Sequence, residues 1–593
     1  MKLIFHCFLF FSACNIFSQN TEYIVSFENA EHNEISVEVS FKDIKVDTAV
    51  FRMARSSPGR YALHEFAKNV YSVRAENDQG KELNVFRPDP YSWAVVGHTG
   101  FLKIHYTLFA NRADGTYSQV DESHAHLNMP ATFMYMPELS DHEMLVNFKP
   151  RTDLNWKIAT QLEKMEENKY RAPNLQYFMD SPTEISDFYK GTFVIEGPNG
   201  RQKINLVVHD SMATQLEFEE YLKHTESIVK TQQKIIGELP KFDFGEYTFL
   251  ACYMPQVNGD GMEHRNSTVL TSTRSLSQGG IQENIGTVSH EFFHCWNVER
   301  IRPASLEPFN FEKANMSGAL WFAEGFTNYY DALSLTRAKI WDLNTFLVNE
   351  SFSFNYVWTS PGRNYFNPIE MSQQAPFVDA ATALDPTNRE NTHISYYNYG
   401  EMLGFALDLT LRQIGKSLDA YMKLVWQRFG KTEKPYEIND LKEILASYTN
   451  QELANNFFKN FIYDSQIPNF TELLSIVGVR LEQREELSWG ALVRYGKVMS
   501  NPFEDSTAYL SGLQMGDIIE KIDTTPITQG DDLNAMIKNL DTDIEHTIVI
   551  KRFGTLIEKP LVLKPWTEYK LKAQEELELT AKQKEARRLW LQQ

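Results

Sequence analysis

The chain has 593 residues, of which 42% are hydrophobic and 13% aromatic, and its formal net charge is −20 at pH 7. This length exceeds what one hydrophobic core supports and predicts three or four domains. The acidic charge argues against nucleic-acid binding, which requires a basic face. We therefore expect a multidomain globular protein with a soluble surface and no nucleic-acid partner.

The first residues have the features of an export signal. Lys2 is followed by a mostly apolar run that is too short to span a bilayer, and then by small residues. We predict a signal peptide over 1–18 and an exported protein, either periplasmic or associated with the cell envelope. Two forms of the mature N-terminus stay open. Residues 11–14 resemble a bacterial lipobox, which would leave a lipid anchor at Cys14 as the only membrane attachment, whereas cleavage after Ser18 would release a soluble chain.

Residues 19–189 are predicted to form a β-rich N-terminal domain. Residues 34–41 alternate polar and apolar side chains, as a half-buried strand does, and 102–108 continue the β bias. A Pro-Gly turn opens a short irregular segment at 57–67. We find no catalytic constellation in this domain, and we expect it to have a structural role or to wall one side of an active cleft.

Residues 190–475 are predicted to form a mixed domain that becomes mostly helical. Strand patterns at 205–208 and 247–253 flank a helix pattern at 213–236. The following segment, 258–264, has glycines between two strand patterns and ends in a charged pair. Such a turn can bring the backbone close to a ligand, and it can equally be an ordinary hairpin loop.

The run His290-Glu291-Phe292-Phe293-His294 carries the signature of a zinc peptidase. Histidines four residues apart lie on one face of a helix, so both imidazoles can reach a single Zn²⁺. Glu291 then lies beside the metal without ligating it, where it can act as a general base. The alternative is a core helix that happens to carry two histidines.

A third ligand is predicted in the next helix, because a catalytic zinc takes three protein ligands and keeps one position open. Glu324 is the one carboxylate in the apolar and aromatic run 320–330, where an unpaired charge would be costly. We therefore predict one Zn²⁺ per chain, held by His290, His294 and Glu324. Asp331 lies on the same helix face as Glu324 and could support the site, but as a helix-surface acid it is expected to be solvated.

The segments HEFFHCWNVERIRP at 290–303 and LWFAEGFTNYY at 320–330 resemble the PDZ-bearing glycyl-aminopeptidase family. Members of this family are gluzincin-type zinc metallopeptidases, with two histidines and one glutamate as ligands. The resemblance covers nearly the whole mature chain. It implies a thermolysin-like zinc domain and the removal of N-terminal residues, glycine or alanine by preference, from peptides.

The resemblance also assigns roles to the glycine-containing segment. Gly261, Met262, Glu263 and His264 match the loop with which gluzincin aminopeptidases hold the amino terminus of the substrate. Asp260 is a departure, since it stands where that loop usually opens with a glycine.

A tyrosine is implied as the oxyanion donor. The helix pattern at 395–411 opens with three tyrosines, and Tyr397 matches the family's tyrosine two residues before a Lys-Gly pair. Tyr399 replaces the lysine before Gly400, which is a departure from the family pattern.

Residues 476–566 are predicted to form a PDZ domain. Residues 508–519 are similar to the Ala…Gly-Leu-x-x-Gly-Asp segment of bacterial PDZ domains, which bind peptides by adding a strand to a sheet edge. Residues 488–491 could supply the carboxylate-binding loop. Residues 567–593 are predicted to form a charged amphipathic C-terminal helix, which we expect to dock on the protein rather than on a membrane, because its charges are of both signs.

These features together predict a multidomain α+β protein that is an exported zinc aminopeptidase. Glu291 would take a proton from the attacking water and pass it to the leaving amine, while Tyr397 would hydrogen-bond the developing oxyanion. Two alternatives stay open: a zinc endopeptidase, and a PDZ peptide-binding protein whose peptidase half has lost activity. The expected partners are peptide substrates and, at the PDZ domain, a peptide or protein C-terminus.

Overall fold

The computed structural model describes residues 20–378 and 387–592, so the predicted signal peptide and Cys14 lie outside the described residues. The architecture is α+β, with a β-rich N-terminal region, a middle region that becomes helical, and a small β unit near the C-terminus. Among the described residues, the three largest clusters of buried apolar side chains correspond to these three regions. None of the helices in this part of the chain combines the length and apolar composition needed to cross a membrane.

The N-terminal region is built from sheets, as its alternating pattern predicts. The strand predicted at 34–41 is confirmed as Glu34–Lys42, with Ile35, Val37 and Val39 buried. In the described residues, the largest sheet of this region has the spatial order Glu163–Glu166, Lys169–Ala172, Glu143–Lys149, Asn20–Ser26, Glu34–Lys42, Phe101–Phe109, Val70–Glu76 and Glu82–Leu83. The smaller sheets are Lys157–Thr160, Thr183–Ser186, His124–Leu127 and Gln119–Val120, and Thr48–Arg52, Ser92–Val96 and Val85–Asp89. Short helices are Met129–Thr132 and Leu175–Met179.

The middle region begins with a sheet whose edge borders the functional site. Its spatial order is Tyr189–Gly197, Gly200–His209, Glu246–Tyr253, Ser267–Ser272 and Asp260–His264. The strands predicted at 205–208 and 247–253 are confirmed as parallel neighbours. We call the last strand, Asp260–His264, the edge strand; it runs antiparallel to Ser267–Ser272. The helix predicted at 213–236 is confirmed as Gln215–Ile236, with a capping box at Thr214.

Three helical elements carry the predicted metal and oxyanion residues. They are the histidine helix (Gly280–Phe293), the glutamate helices (Leu320–Ala323 and Gly325–Arg337, with Glu324 between them) and the tyrosine helix (Tyr396–Gln413). A Cβ on Gly400 would lie 1.8 Å from the carbonyl oxygen of Trp321. The tyrosine helix therefore lies directly against the glutamate helices, and only glycine permits that approach.

The remaining helices surround these elements. They are Leu343–Trp358, Pro368–Gln373, Ala375–Val378, Arg389–Thr392, Leu418–Val425, Ile438–Tyr448, Gln451–Phe457 and Phe470–Ser475. The segment between Leu343–Trp358 and the tyrosine helix contains short helices in its described part. Phe309 and Phe311, from the segment before the glutamate helices, are buried in the core of the N-terminal region, so the two regions pack against each other.

The small C-terminal unit consists mainly of strands. Its sheet has the order Val493–Arg494, Lys497–Val498, Ile518–Ile522, His546–Arg552 and Thr555–Leu561, with Thr525–Pro526 beside Ile518–Ile522. A separate antiparallel pair is formed by Val479–Leu487 and Pro565–Ala573. The short helices of this C-terminal unit are Thr507–Leu510 and Leu533–Lys538.

The C-terminal helix predicted for 567–593 begins later than predicted. Residues 567–573 belong to the strand Pro565–Ala573, and only Ala581–Leu591 is helical. The physical reason is that the apolar residues of this segment recur at every second position, as in a strand. Tyr569 and Leu571 alternate with charged residues and pack on the core of the middle region.

The docking predicted for the C-terminal helix is confirmed. Trp590 has no exposed surface, and its indole Nε1 donates to the hydroxyl of Tyr329 at 3.0 Å. Its carbonyl oxygen accepts from Nη2 of Arg337 at 2.8 Å. The last helix is therefore part of the core of the middle region.

Candidate active site

The three predicted metal ligands meet at one point. Nε2 of His290 lies 3.0 Å from Nε2 of His294. Oε2 of Glu324 lies 3.1 Å from Nε2 of His294 and 3.7 Å from Nε2 of His290. A metal with ligand bonds of about 2.0–2.1 Å and tetrahedral angles separates its ligand atoms by about 3.3 Å. The three separations therefore fit a zinc ligand set.

The hydrogen bonds of the two imidazoles leave their lone pairs facing this point. Nδ1 of His294 lies 2.5 Å from the carbonyl oxygen of Asn297, which can only accept, so Nδ1 donates. Nδ1 of His290 donates to Oδ2 of Asp331 at 2.9 Å. The lone pair of each Nε2 atom then faces the space between the two imidazoles and Oε2 of Glu324. Such a donor set is stable around a cation, and it fits Zn²⁺.

The electrostatics favour positive charge at the same point. Burial alone would lower the pKa of His294, but the carboxylates of Glu324 and Glu263 raise it to about 9. Burial would raise the pKa of Glu324, but His294 and His290 hold it well below its usual range. The carboxylates thus stabilise a cation between the imidazoles, whether a proton or a metal ion.

Glu291 lies beside the ligands without joining them. Burial, which outweighs the lowering by His290 and His294, raises the pKa of Glu291 to about 7. A Cβ on Gly261 would lie 2.1 Å from Oε1 of Glu291. The edge strand therefore passes directly over this carboxylate, and a carboxyl group with a pKa near neutrality suits proton transfer at physiological pH.

Of the four residues on the edge strand that were predicted to bind substrate, two border the metal cluster and two do not. The carboxylate of Glu263 is buried and lies within 4.8 Å of the ligand atoms of Glu291 and His294. Met262 and His264 contact the N-terminal region instead: a Cβ on Gly59 would meet the sulfur of Met262, and Nδ1 of His264 lies 2.8 Å from Oδ1 of Asp180. Gly261 and Glu263 thus border the metal cluster, whereas the side chains of Met262 and His264 do not.

The tyrosine helix presents its three tyrosines differently. The ring of Tyr397 lies 5.9 Å from the ring of His290 and stacks on Tyr396 at 4.9 Å. Tyr399 is buried and packs on Trp358 at 5.7 Å. Among these three tyrosines, Tyr397 is the one whose ring contacts a predicted metal ligand.

Two residues that hold the ligands were not predicted, and a third, Asp331, was considered as a support but expected to be solvated. The hydroxyl of Tyr61 donates to Oε1 of Glu324 at 2.5 Å. Asn297 donates from Nδ2 to the carbonyl oxygens of the two residues before Glu324, at 2.9 and 3.0 Å. Asp331 was expected to be solvated, which is wrong: it accepts from His290. For Asp331 the shared helix face was a usable signal. Tyr61 lies in the segment 57–67, which resembles a Pro-Gly-Tyr stretch of the glycyl-aminopeptidase family, and Asn297 lies in the family-like segment 290–303, but neither signal indicated a contact with the ligand Glu324 or its neighbours.

Comparisons with known proteins identify similar families and structures. A family model described as the peptidase M61 N-terminal domain matches residues 22–187, and one described as M61 glycyl aminopeptidase matches residues 283–403. No match is found among curated proteins.

Among solved structures, an aminopeptidase N family protein from Idiomarina loihiensis is similar in fold, with a TM-score of 0.85 and 22% identity over 96% of this chain and 100% of that one. An M1 zinc metallopeptidase variant from Deinococcus radiodurans, solved with a Tyr-Ser-Ala substrate, gives a TM-score of 0.45 and 12% identity over 76% of this chain and 95% of its own. Aminopeptidase A from Legionella pneumophila, solved with aspartic acid, gives 0.45 and 12% over 93% of this chain and 56% of its own.

Proposed function

The chain belongs to the M61 glycyl aminopeptidase family and is a metallo-aminopeptidase, and from this premise we propose that it uses one Zn²⁺ to remove N-terminal glycine or alanine from peptides. The observation that carries the proposal is that the ligand atoms of His290, His294 and Glu324 lie within 3.7 Å of one another, with both imidazole lone pairs turned inward. These three residues would hold the zinc, which when bound supplies Lewis-acid polarisation of the scissile carbonyl and acidifies water.

Glu291 is the proposed general base and acid. Its carboxylate borders the metal ligands and takes a proton from the attacking water, and the same group then passes the proton to the leaving amine. Burial raises the pKa of Glu291 above the usual value of a glutamate, which makes its carboxylate a better proton acceptor than an exposed one. The presence of this residue with all three ligands argues against a peptide-binding protein that has lost its activity.

Tyr397 is the proposed oxyanion donor. Its ring lies 5.9 Å from that of His290 and is only partly buried, and we propose that its hydroxyl reaches a substrate carbonyl at the metal. A positioned donor of this kind stabilises the charge that develops in the transition state and costs no reorganisation during the reaction.

Glu263 is the group that favours an aminopeptidase over an endopeptidase. An aminopeptidase must recognise a free α-ammonium close to the metal, and the buried carboxylate of Glu263 is a fixed anion there. A charge-assisted contact with an ammonium in such a pocket contributes on the order of a few kcal/mol. Tyr61, which lies near this carboxylate, packs on Tyr396, and Tyr396 stacks on Tyr397. We propose that these rings limit the size of the first side chain.

The proposal is tested with nitroanilides of glycine, alanine and leucine and with N-acetylated peptides. The native protein should contain zinc, lose activity on chelation, regain it with Zn²⁺ and reject N-acetylated substrates. Glu263→Ala should lower kcat/KM on free-amine substrates by about 10²-fold and discriminate less against acetylated ones. Glu283→Gln, on an exposed carboxylate of the histidine helix, is the matched control and should change neither. Efficient cleavage of acetylated peptides by the native protein would show an endopeptidase.

Two further proposals concern the ends of the chain. The first is that residues 476–566 form a PDZ domain, supported by the small sheet and by the short helix Leu533–Lys538, which packs beside Val493–Arg494. Peptide binding to the isolated unit, measured with a library of free C-termini, tests it. The second is that the protein is exported, which N-terminal sequencing and lipid analysis of the protein purified from its host would test.

A further inference from the structure

A second cluster of ligand-type side chains lies outside the active site. His124, Glu184 and Cys252 have no exposed surface. His124 and Glu184 lie on neighbouring strands of the N-terminal region, whereas Cys252 lies on Glu246–Tyr253 in the middle region. The cluster therefore lies at the contact between two different sheets.

The atoms of this cluster are spaced as metal ligands are, and the His124–Glu184 separation is long for a charge-assisted hydrogen bond. Nδ1 of His124 lies 3.3 Å from Oε1 of Glu184 and 3.7 Å from Sγ of Cys252, and all three ligand atoms lie within 4.8 Å of one another. A charge-assisted N–H···O bond is usually about 2.7–2.9 Å long. Ligands on a tetrahedral zinc are separated by about 3.4 Å for nitrogen and oxygen and about 3.6 Å for nitrogen and sulfur.

The surroundings orient these atoms as they do in the active site. Nε2 of His124 has no hydrogen-bond partner among the described residues, and Oδ2 of Asp121 is 3.8 Å away from it. If Nδ1 of His124 binds the ion, its Nε2–H faces the carboxylate of Asp121. In the active site the roles of the two ring nitrogens are exchanged: Nε2 of His290 faces the metal position, and its Nδ1–H faces Asp331. Oε2 of Glu184 lies 3.3 Å from Nδ1 of His126, whose Nε2 donates to the carbonyl oxygen of Asp114 at 2.9 Å.

The charges of the cluster also suit a divalent cation. A thiolate and a carboxylate buried together carry two negative charges, and a neutral imidazole adds none. Burial would lower the pKa of His126, but Glu184 raises it, and burial would raise the pKa of Asp121, but His124 lowers it. These two neighbouring charges offset each other, so a divalent ion balances the thiolate and the carboxylate of Glu184. Sulfur, nitrogen and oxygen together are the ligand types that Zn²⁺ accepts.

We propose that His124, Glu184 and Cys252 bind a second divalent transition-metal ion, of the zinc class, which fastens the N-terminal region to the sheet of the middle region. The site has no exposed surface, so its role is structural. The proposal is independent of the proposed function, because its test measures metal binding and not turnover. Without the ion, the same residues would form a hydrogen-bonded cluster of a neutral thiol, an imidazole and a carboxylate, and the experiment separates these two cases.

The experiment uses the full chain loaded with Co²⁺ and with Zn²⁺. The catalytic ligand set contains no sulfur, so a thiolate-to-cobalt charge-transfer band in the ultraviolet reports the second site alone. The native protein should show this band and should hold about two metal ions per chain by elemental analysis. Cys252→Ser should abolish the band and reduce the content to about one, and His124→Gln should do the same.

Cys295→Ser is the matched control, because Cys252 and Cys295 are the two free cysteines of the described residues and both are buried. This variant should keep the band and both ions. A native Co²⁺ protein without the band, holding one ion per chain, overturns the proposal and needs no variant to be folded. A band that survives in Cys252→Ser also overturns it.

Discussion

The hydroxyl of Tyr61 donates a hydrogen bond to Oε1 of Glu324, from the N-terminal region to the middle region. The other carboxylate oxygen, Oε2, is the one that approaches His294 at 3.1 Å. Burial and the neighbouring carboxylate of Glu324 raise the pKa of Tyr61 well above its usual value, so the phenol keeps its proton and remains a donor. Tyr61 thereby leaves one oxygen of Glu324 for the metal, and it makes the N-terminal region part of the active site.

Tyr61→Phe removes this hydrogen bond with little change in packing. We expect zinc affinity or activity to fall by about 10–100-fold, as is usual when a group that orients a metal ligand is lost. Competition with a chelator measures the affinity. Tyr117→Phe is the control, because its hydroxyl bonds His64 in the same region and not a metal ligand. Equal zinc affinity in Tyr61→Phe and the native protein would show that the contact has no role in holding the ligand.

Tyr397→Phe should lower kcat by about 10²–10³-fold while zinc content stays unchanged, because one oxyanion donor is lost. Tyr399→Phe should change kcat little, since Tyr399 packs on Trp358 away from the metal cluster. Steady-state kinetics on alanine nitroanilide with parallel zinc analysis makes the comparison. If Tyr399→Phe alone lost activity, the assignment of the donor would be wrong by two residues.

The sequence predicted the metal ligands because their pattern is local. The spacing of His290 and His294 follows from helix geometry, and Glu324 stands out as a charge in an apolar run. Tyr61 could not be predicted in this way, since it reaches Glu324 across 263 positions in sequence and only the packing of the two regions brings them together. The C-terminal strand was missed for a related reason: Tyr569 and Leu571 alternate as strand residues do, but their charged neighbours suggested a helix.

Glu350 and Glu401 form a buried carboxyl pair behind the glutamate helices. Burial and the neighbouring Glu401 raise the pKa of Glu350 well above its usual value, and burial raises that of Glu401 to about 7. A carboxyl group whose pKa is higher in the folded state binds more protons there than in the unfolded state. The stability that this pair contributes is therefore present below the unfolded pKa and is lost as pH rises through the folded pKa.

Glu350→Gln replaces the protonated carboxyl with a neutral isostere that does not titrate. When the pH rises from about 5 to about 9, the thermal unfolding midpoint of this variant should therefore fall less than that of the native protein. Thermal unfolding at both pH values measures the difference. If the midpoints of the two proteins change in parallel, the pair does not titrate in this range.

Trp590 fastens the C-terminal helix to the middle region. Its indole is fully buried against Phe346 and Phe405, with ring centroids 5.5 and 5.8 Å away. Trp590→Ala should destabilise the protein by about 3–5 kcal/mol, the usual cost of removing a large buried aromatic side chain. Leu589→Ala, at an exposed position of the same helix, should cost less than about 0.5 kcal/mol. Denaturant unfolding measures both, and equal costs would mean that the helix does not dock through Trp590.

The central claim is that Glu291 moves the proton while His290, His294 and Glu324 hold the metal. Glu291→Gln keeps the shape of the side chain and the ligand set but removes the base, and the most direct measurement determines its zinc content and its turnover on alanine nitroanilide in one preparation. We expect near-stoichiometric zinc with kcat reduced by at least about 10²–10⁴-fold, whereas His294→Ala should lose the metal itself. A Glu291→Gln protein with full zinc and native turnover would contradict the account.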